Sequence, residues 1–295
     1  MSDTLESLRR KINGAGDLKS VVRTMKVLAA SNIVQYEKAV SSLADFYRTV
    51  EMGLFICLRK MEEASVTEKI YQSESRIINV VAFGSDQGLV GQFNDVLSDF
   101  LFKSIEKIQG KKIIMAVGER MQGRLEDLGL TPSTVFEVPN SVGTITPLIG
   151  QILLKYDLTR IKDDVPQLLL FYNRPKQGSV YEPVFQRLLP LDEEWRSGIS
   201  TIKWPTKYLP ETIFGVEPTL HGLIRNYLFV SLFRACAESL ASENASRLAA
   251  MQRAEKNIDE LLEDLNRAYH RLRQSTIDEE LFDVISGSEA LLNGK

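Results

Sequence analysis

The sequence has few of the residues that most often build catalytic and metal sites. Its 295 residues include two histidines and two cysteines. Cys57 and Cys236 are too few for a disulfide framework or a tetrahedral zinc site, and such scarcity is typical of a reducing compartment. His221 and His270 both fall in a helical pattern, without the serine, cysteine or carboxylate partners of a nucleophilic site. We therefore expect no catalytic residue, no metal site and no cofactor.

The sequence also lacks a charge excess and a long apolar run. It has 36 basic and 39 acidic residues, a formal net charge of −3, which argues against nucleic-acid binding through bulk positive charge. No apolar stretch approaches the roughly 18–20 residues that cross a bilayer. The amino terminus has neither the apolar core of a signal peptide nor the acid-poor composition of a transit peptide. These absences predict a cytoplasmic protein with no membrane span and no nucleic-acid partner.

Proline is missing from both ends of the chain. From Asp3 to Met61, and again after Pro218, apolar residues recur at steps of three and four residues. Long periodic segments of this kind predict the helices of a coiled coil. Gly14 and Gly16 weaken the first turns by about 1 kcal/mol each relative to alanine, and Asp17 is a possible cap for a restarted helix.

The middle of the chain has a different pattern. Four short β-rich runs alternate with helical patterns, and a hairpin over 180–189 follows them; the runs are Ile77–Phe83, Ile113–Val117, Val135–Val138 and Leu168–Tyr172. Nearly continuous apolar strands favour a mostly parallel, Rossmann-like sheet with flanking helices. The prediction is an α/β domain inserted in a long antiparallel coiled coil: a first helix over 1–62, the α/β domain over 75–212 and a second helix over 213–295. Residues 195–215 are interpreted as the linker into that helix.

The two predicted arms differ in charge and length. Residues 1–60 carry +4 and residues 213–295 carry −4, which favours their pairing, although exposed pairs contribute only tenths of a kcal/mol. If the arms pair outward from the domain, the second overhangs by about 15 residues, or about 22 Å. Either the tail folds back on its own domain or other proteins encircle it, because its apolar residues otherwise face water; these are Ile277, Leu281, Phe282, Val284 and Ile285.

Two further segments allow more than one interpretation. The glycine-rich turn over 83–94 follows a strand and opens a helix, where a phosphate loop would lie. Its spacing fits neither GxGxxG nor the lysine-bearing P-loop, which favours a turn that needs Gly88 and Gly91 for backbone freedom. On the last helix, small residues cluster over 241–250. They indicate either a close approach of two helices or simply high helix propensity.

Four stretches make the sequence recognisable. The segment Ser239–Leu291 resembles the carboxy-terminal helix of the gamma subunit of F-type ATP synthases, and Leu8–Ile12 and Val22–Ser31 resemble its first helix. The loop Ser85–Asn94, SDQGLVGQFN, is similar to that family's SDRGLCGGLN. The order of these motifs agrees along the whole chain. Departures from the family pattern are typical of a divergent branch such as a sodium- or proton-linked alternate ATPase; they lie in the loop at Gln87, Val90 and Gln92, and directly after the first-helix motif at Asn32 and Ile33.

The resemblance implies a non-catalytic rotor. The arms would form the central stalk inside a ring of three alpha and three beta subunits, and the inserted domain would be a foot beside the epsilon subunit and the membrane c-ring. Catalysis would belong to the beta subunits, and the complex would lie peripherally on the cytoplasmic face of a prokaryotic membrane. Ring movement driven by ions would thereby be coupled to ATP synthesis or hydrolysis.

The resemblance also implies residues that touch the ring. The implied rotor–stator contacts are Met25, Lys26, Glu243, Arg247, Arg273, Gln274, Asp278 and Glu280, with Met25 beside Arg247. The implied apolar tip in the alpha–beta sleeve is Ile277, Leu281, Phe282 and Ile285. Two other functions stay open. One is a nucleotide-binding α/β enzyme with a dimerising coiled coil, and the other is a free-standing coiled-coil adaptor.

Overall fold

The computed structural model describes residues 4–63, 77–159, 166–176, 179–191, 195, 198, 204, 206, 208–213 and 215–292. The helices are α1 (Leu5–Ser42), α2 (Ala44–Glu63), α3 (Phe93–Glu106), α4 (Glu119–Asp127), α5 (Val142–Asp157) and α6 (Val216–Leu292). The strands are β1 (Ile77–Phe83), β2 (Lys111–Val117), β3 (Thr134–Phe136), β4 (Gln167–Lys176) and β5 (Ser179–Leu189). Most of the predicted linker over 195–215, and the turn at 177–178, lie outside the described residues.

The strands form one five-stranded sheet in the order β3-β2-β1-β4-β5. β1 pairs in parallel with β2 and with β4, and β2 pairs in parallel with β3. β5 pairs antiparallel with β4 as an edge strand. The structure therefore confirms the predicted mostly parallel sheet and its hairpin. β2 and β3 lie on one side of β1 in the sheet, and β4 and β5 lie on the other side. Many folds of this type bind ligands at the point where the order changes side, here between β1 and β4.

Helices cover both faces of the sheet, which explains why its strands are apolar at nearly every position. Val81 and Leu170 face a core that α5 and parts of α1, α2 and α6 complete. Val80 and Leu169 face a second core that α3 and α4 complete. Successive residues of one strand point to opposite faces, so a strand buried on both sides needs apolar residues throughout.

The chain divides into two compact units, and we name them by their content. The helix-pair unit is Met1–Ala29 with Leu248–Lys295, and the α/β unit is Ala30–Arg247. These limits differ from the predicted segments 1–62, 75–212 and 213–295. The reason is that residues such as Tyr36, Leu54 and Tyr227 are buried in the core beside the sheet, so the inner stretches of the terminal helices belong to the α/β unit.

The helix-pair unit is built on a narrow apolar seam. Ala15, Val22, Met251 and Ile258 are buried and pack together along it, and Leu8 and Ala29 are buried as well. Lys19 pairs with Asp259, and Lys26 pairs with Glu255. Since the residue number rises along α1 as it falls along α6, the two helices run antiparallel, as predicted. The Lys19–Asp259 register places Leu5 opposite residue 273. α6 then extends about 19 residues, or about 28 Å, past that point to Leu292.

Two predictions about the first helix were wrong. No helix restarts at Asp17, because α1 runs without interruption through Gly14 and Gly16. The predicted first helix over 1–62 is also not continuous, because α1 ends at Ser42 and α2 begins at Ala44. The hydroxyls of Ser41 and Ser42 both donate to the carbonyl of Lys38, over 2.9 and 2.8 Å. Serine pairs that bond the backbone in this way bend helices, and the sequence pattern did not reveal this one.

Candidate functional site

The end of α6 exposes the residues predicted for the apolar tip. Ile277 is 51% exposed, Leu281 56%, Phe282 67% and Ile285 45%. The polar residues predicted to contact the ring from this region are also exposed; they are Arg273, Gln274, Asp278 and Glu280. This stretch of α6 therefore combines apolar and charged side chains on surface that a partner can reach.

The remaining residues predicted on the first arm face the second helix. Met25 packs against the seam of the helix-pair unit. The Lys26 ammonium lies 2.5 Å from one carboxylate oxygen of Glu255, and Arg23 Nε donates to the other over 2.8 Å. Hydrogen bonds from Arg23 and then Lys26 lower the pKa of Glu255 to about 2. The predicted contact between Met25 and Arg247 stays a prediction.

The helix-pair unit has two chemically different sides. At 100° per residue, Lys19 and Lys26 lie on one side of the buried stripe through Ala15 and Val22. We call that side the ionic flank, formed by Lys19, Arg23, Lys26, Glu255 and Asp259. The other side is the apolar flank, with exposed large side chains at Leu18, Val21, Leu28 and Leu261; Val27 is an exposed apolar residue on the side of Arg23. The surface of the helix-pair unit therefore differs in charge and polarity from one side of its long axis to the other.

Glu243 and Arg247 lie inside the α/β unit rather than on open surface. A guanidinium nitrogen of Arg247 donates to Glu243 Oε1 over 2.6 Å, and the two side chains are 13% and 6% exposed. Burial raises the pKa of Glu243 despite the adjacent Arg247. Both residues line an open cavity of about 410 Å³ together with Asp86 and Asn140. A ring contact by this pair stays a prediction, and a partner would reach it through that cavity.

The glycine-rich turn after β1 is held by its own side chains. Asn94 accepts a hydrogen bond from the Ser85 amide over 3.0 Å and donates to the Ser85 hydroxyl over 2.8 Å. The Asp86 carboxylate accepts from the amide of Glu119, at the first turn of α4, over 3.0 Å. It also accepts from the Val138 amide over 2.8 Å. An aspartate therefore occupies the anion position at the start of α4, where a phosphate would bind in other folds.

The glycine prediction for this turn was half right. Gly91 has φ of 58°, which glycine adopts without cost, but Gly88 is not in the left-handed region; Leu89, with φ of 63°, is. The position in this turn that has no room for a larger side chain is Gly84, because an added Cβ would lie 2.3 Å from the Met121 Cβ. The turn needs glycine for space at its start and for conformation near its end.

Helix α6 fills the place where this fold commonly binds a ligand. Ser239 donates to the carbonyl of Phe83, the last residue of β1, over 3.0 Å. Ser246 donates to the carbonyl of Val90 in the following turn over 2.5 Å. Both serines are buried. The carboxyl end of β1 is therefore in contact with the chain itself, so this edge of the sheet works as an attachment point.

Other candidate groups are placed away from any shared site. Cys57 and Cys236 are buried, and burial raises both thiol pKa values. His221 and His270 are exposed. Across the described residues, the acidic, histidine and cysteine side chains form no group of three suited to a metal ion. No helix in the described part of the chain is long and apolar enough to span a membrane.

Sequence reasoning missed several residues that organise this region. Asp86 and Asn94 brace the turn, and Asn32 donates to Asn244 over 3.3 Å between α1 and α6. Ser239 was passed over, although it lies seven residues before Ser246. Two serines at that spacing share one face of a helix, and this was the available signal.

Comparison with known proteins places these features in context. The sequence profile of the family described as ATP synthase matches residues 4–291. The chain is 28% identical to the ATP synthase gamma chain of Syntrophus aciditrophicus, over 98% of this chain and 99% of that one. It is 26% identical to the ATP synthase gamma chain of Clostridium pasteurianum, with the same coverage. Its fold is similar to a chain in the mitochondrial ATP synthase rotor of Euglena gracilis, with a TM-score of 0.60, 16% identity, and coverage of 92% of this chain and 98% of that one.

Proposed function

This chain belongs to the ATP synthase family, and from that premise we infer that it is the gamma subunit, the central-stalk rotor of an F-type ATP synthase. It is not catalytic by itself, because the catalytic sites belong to the beta subunits. Its partners are the alpha and beta subunits, the epsilon subunit and the c-ring. The turn after β1, which Asp86 and α6 occupy, supports this non-catalytic role over a nucleotide-binding enzyme.

The mechanism follows from binding thermodynamics. A rotor can shift the open–closed equilibrium of a beta subunit only by the difference in its interaction free energy with the two shapes. Three beta subunits of identical sequence respond differently only if the rotor presents a different surface to each. The ionic and apolar flanks of the helix-pair unit provide such a difference. The coupling is reciprocal, so nucleotide binding at the beta subunits drives the rotor in turn.

The observation that carries the proposal is the exposed apolar end of α6. Leu281 and Phe282 are more than half exposed on a helix that continues about 28 Å past the residue facing Leu5. Leaving such side chains in water forgoes roughly 1.5–3 kcal/mol each. A sleeve formed by alpha and beta subunits removes that cost, and the proposed tip residues are Ile277, Leu281, Phe282 and Ile285.

The polar residues near the tip have a complementary role. Arg273, Gln274, Asp278 and Glu280 are exposed and are proposed to form directional contacts with ring loops. Lys26 contributes to the same set from α1, in addition to its bond with Glu255. Charge and hydrogen-bond contacts depend on orientation, so they distinguish one rotational position from another, whereas an apolar sleeve does not.

We also propose the location of the complex. As a family member the protein is a peripheral subunit of a membrane-bound assembly, and we place it on the cytoplasmic face of a prokaryotic membrane. The relatives from Syntrophus and Clostridium, both bacterial, support this. Adding a protease to sealed inside-out and right-side-out vesicles tests it: the chain should be cleaved in inside-out vesicles only, and cleavage in sealed right-side-out vesicles would contradict the proposed face.

Co-expression with the alpha and beta subunits of the same operon tests the assignment. The expected product is a complex with one copy of this chain for three alpha and three beta subunits. Truncation after Thr276 removes the tip and should weaken assembly and coupling, while circular dichroism of the truncated chain reports a folded α/β unit. The matched control is Leu154→Ser with Leu158→Ser, which changes two exposed leucines of the α/β unit and should leave assembly unchanged. A chain that never co-purifies with the ring subunits would defeat the assignment.

A further inference from the structure

Two buried serines join α6 to the carboxyl end of the sheet. Ser239 donates to the Phe83 carbonyl over 3.0 Å, and Ser246 donates to the Val90 carbonyl over 2.5 Å. Serine and threonine inside a helix commonly bond a carbonyl of their own helix, as Thr219 and Thr276 do here. Ser239 and Ser246 instead reach a different element, about two helical turns apart on one face of α6.

The acceptors of these bonds are themselves fixed. Phe83 is the last residue of β1, in the middle of the sheet. The turn that carries Val90 is braced by Asn94 at one end and by Asp86, which bonds the amides of Glu119 and Val138. The two serines thus connect α6 to the central strand and to a braced turn.

Hydrogen bonds do something here that the surrounding apolar core does not. Close packing of the buried side chains of α6 resists both its separation from the sheet and large rotations about its axis, but hydrophobic contact has no preferred bond direction of its own. A hydrogen bond weakens steeply as it departs from its preferred direction. Two such bonds on one face, about 10 Å apart along the axis, fix the rotational setting of α6 on the sheet.

We propose that Ser239 and Ser246 form a torque latch, a pair of positioning residues through which rotation of the α/β unit is transmitted into α6. The proposal rests on the proposed rotor function. The latch acts under load: it prevents α6 from slipping in its seat when the ring resists rotation. Small residues around it, including Ala241 and Ser242, are buried, which accounts for the small-residue cluster as the place where α6 lies close to its support.

The test is a rotation assay on the assembled complex with alpha and beta subunits. The ring is immobilised, a bead is attached to the α/β unit, and ATP hydrolysis drives rotation against an applied load. For Ser239→Ala with Ser246→Ala, we expect slips of the bead under load to become about tenfold more frequent, the factor expected for the loss of two hydrogen bonds. Hydrolysis without load should match the parent, which a merely destabilised rotor would not achieve.

Ser242→Ala is the matched control. Ser242 is fully buried on the same helix, and its hydroxyl has no hydrogen-bond partner among the described residues, so the same atom is removed without losing a bond. Slip frequency in the control should equal that of the parent. If the double variant does not assemble, the single variants Ser239→Ala and Ser246→Ala replace it, with an expected increase of about threefold each.

The outcomes separate this inference from the proposed function. If the parent chain forms no rotating complex, the rotor assignment fails and the latch fails with it. If the parent rotates, and the serine variants hold load as well as Ser242→Ala does, the latch alone is overturned.

Discussion

The two units of this chain depend on different amounts of buried surface. The helix-pair unit has a narrow apolar seam, with Ala15, Val22, Met251 and Ile258 among its buried residues, flanked by ion pairs. The α/β unit has apolar cores on both faces of its sheet. Both units contain parts of α1 and α6. Each of these helices is therefore stabilised by a narrow seam in one unit and by the core beside the sheet in the other.

The difference in buried surface agrees with the different roles proposed for the two units. The helix-pair unit, which is proposed to offer its surface to partners, keeps most of its side chains exposed and is stabilised by a narrow stripe of buried apolar residues. The α/β unit buries polar side chains as well as apolar ones, and some of them, such as Asn94 and Ser239, form hydrogen bonds that hold neighbouring elements together. Substitutions of similar chemistry are therefore expected to have unequal effects in the two units.

The largest expected effect is in the α/β unit. Leu170 is fully buried in the core that α5 and α6 share with the sheet, so Leu170→Ala should lower the free energy of unfolding by about 2–5 kcal/mol. Urea unfolding followed by circular dichroism measures this. Leu154→Ala is the control, since Leu154 is 61% exposed. Equal losses in the two variants would mean that the core beside β4 is not as described.

A smaller and more local effect is expected in the helix-pair unit. Ile258 is buried in the seam, and Ile258→Ala should destabilise that unit by about 2 kcal/mol, with little change around the sheet. Amide hydrogen exchange resolves the two regions, because protection should fall over residues 15–29 and 248–262 only. Leu261→Ala, on the exposed apolar flank, provides the comparison. Loss of protection throughout the chain would show that the two units unfold together.

The smallest expected effect concerns the ionic flank and its dependence on pH. Hydrogen bonds from Arg23 and Lys26 hold the pKa of Glu255 at about 2, against an ordinary value of 4.5. A lowered carboxylate pKa stabilises the folded state fully above about pH 4.5, and the contribution is lost as pH falls towards 2. The stability difference between the parent and Glu255→Gln should therefore shrink across that window.

Hydrogen exchange of the helix-pair unit at several pH values measures this difference. Added salt should reduce it at neutral pH, because exposed charges are screened. Glu260→Gln is the control, since Glu260 pairs with Lys256 of the same helix and does not join the helices. A difference between the parent and Glu255→Gln that is the same at pH 6 and pH 2.5 would contradict the assigned role of Glu255.

Periodicity predicted the architecture well and local detail less well. The strands, the edge hairpin and the antiparallel pairing follow from apolar spacing, because spacing decides which face of an element is buried. The break after Ser42 was missed, because it depends on two hydroxyls that compete for one carbonyl. Leu89 was missed for a similar reason: its positive φ is imposed by the braced turn around it, and leucine by itself does not favour that conformation.

The residues of the candidate site also differ in how far the sequence predicts them. The exposed apolar end of α6 could be predicted, since the sequence shows that the second helical segment is longer than the first and has apolar residues near its end. The burial of Glu243 and Arg247 could not, because an ion pair four residues apart has the same spacing on an open surface and inside a cavity. The role of Asp86 depends on amides 33 and 52 residues away, and contacts at such separation are fixed only when the strands have assembled.

The sequence by itself determined that this protein has two long helical segments around a covered, mostly parallel sheet, with opposite charges on its arms and an apolar end that must be covered by its own domain or by other proteins. Local spacing and composition carry that information, since each helix or strand needs a buried face of the right period. Only the tertiary structure decided where the polar groups go: which aspartate takes the anion position, which serines hold α6, and which charges are buried. Those assignments rest on directional bonds between distant residues, and such bonds exist only once the chain has folded.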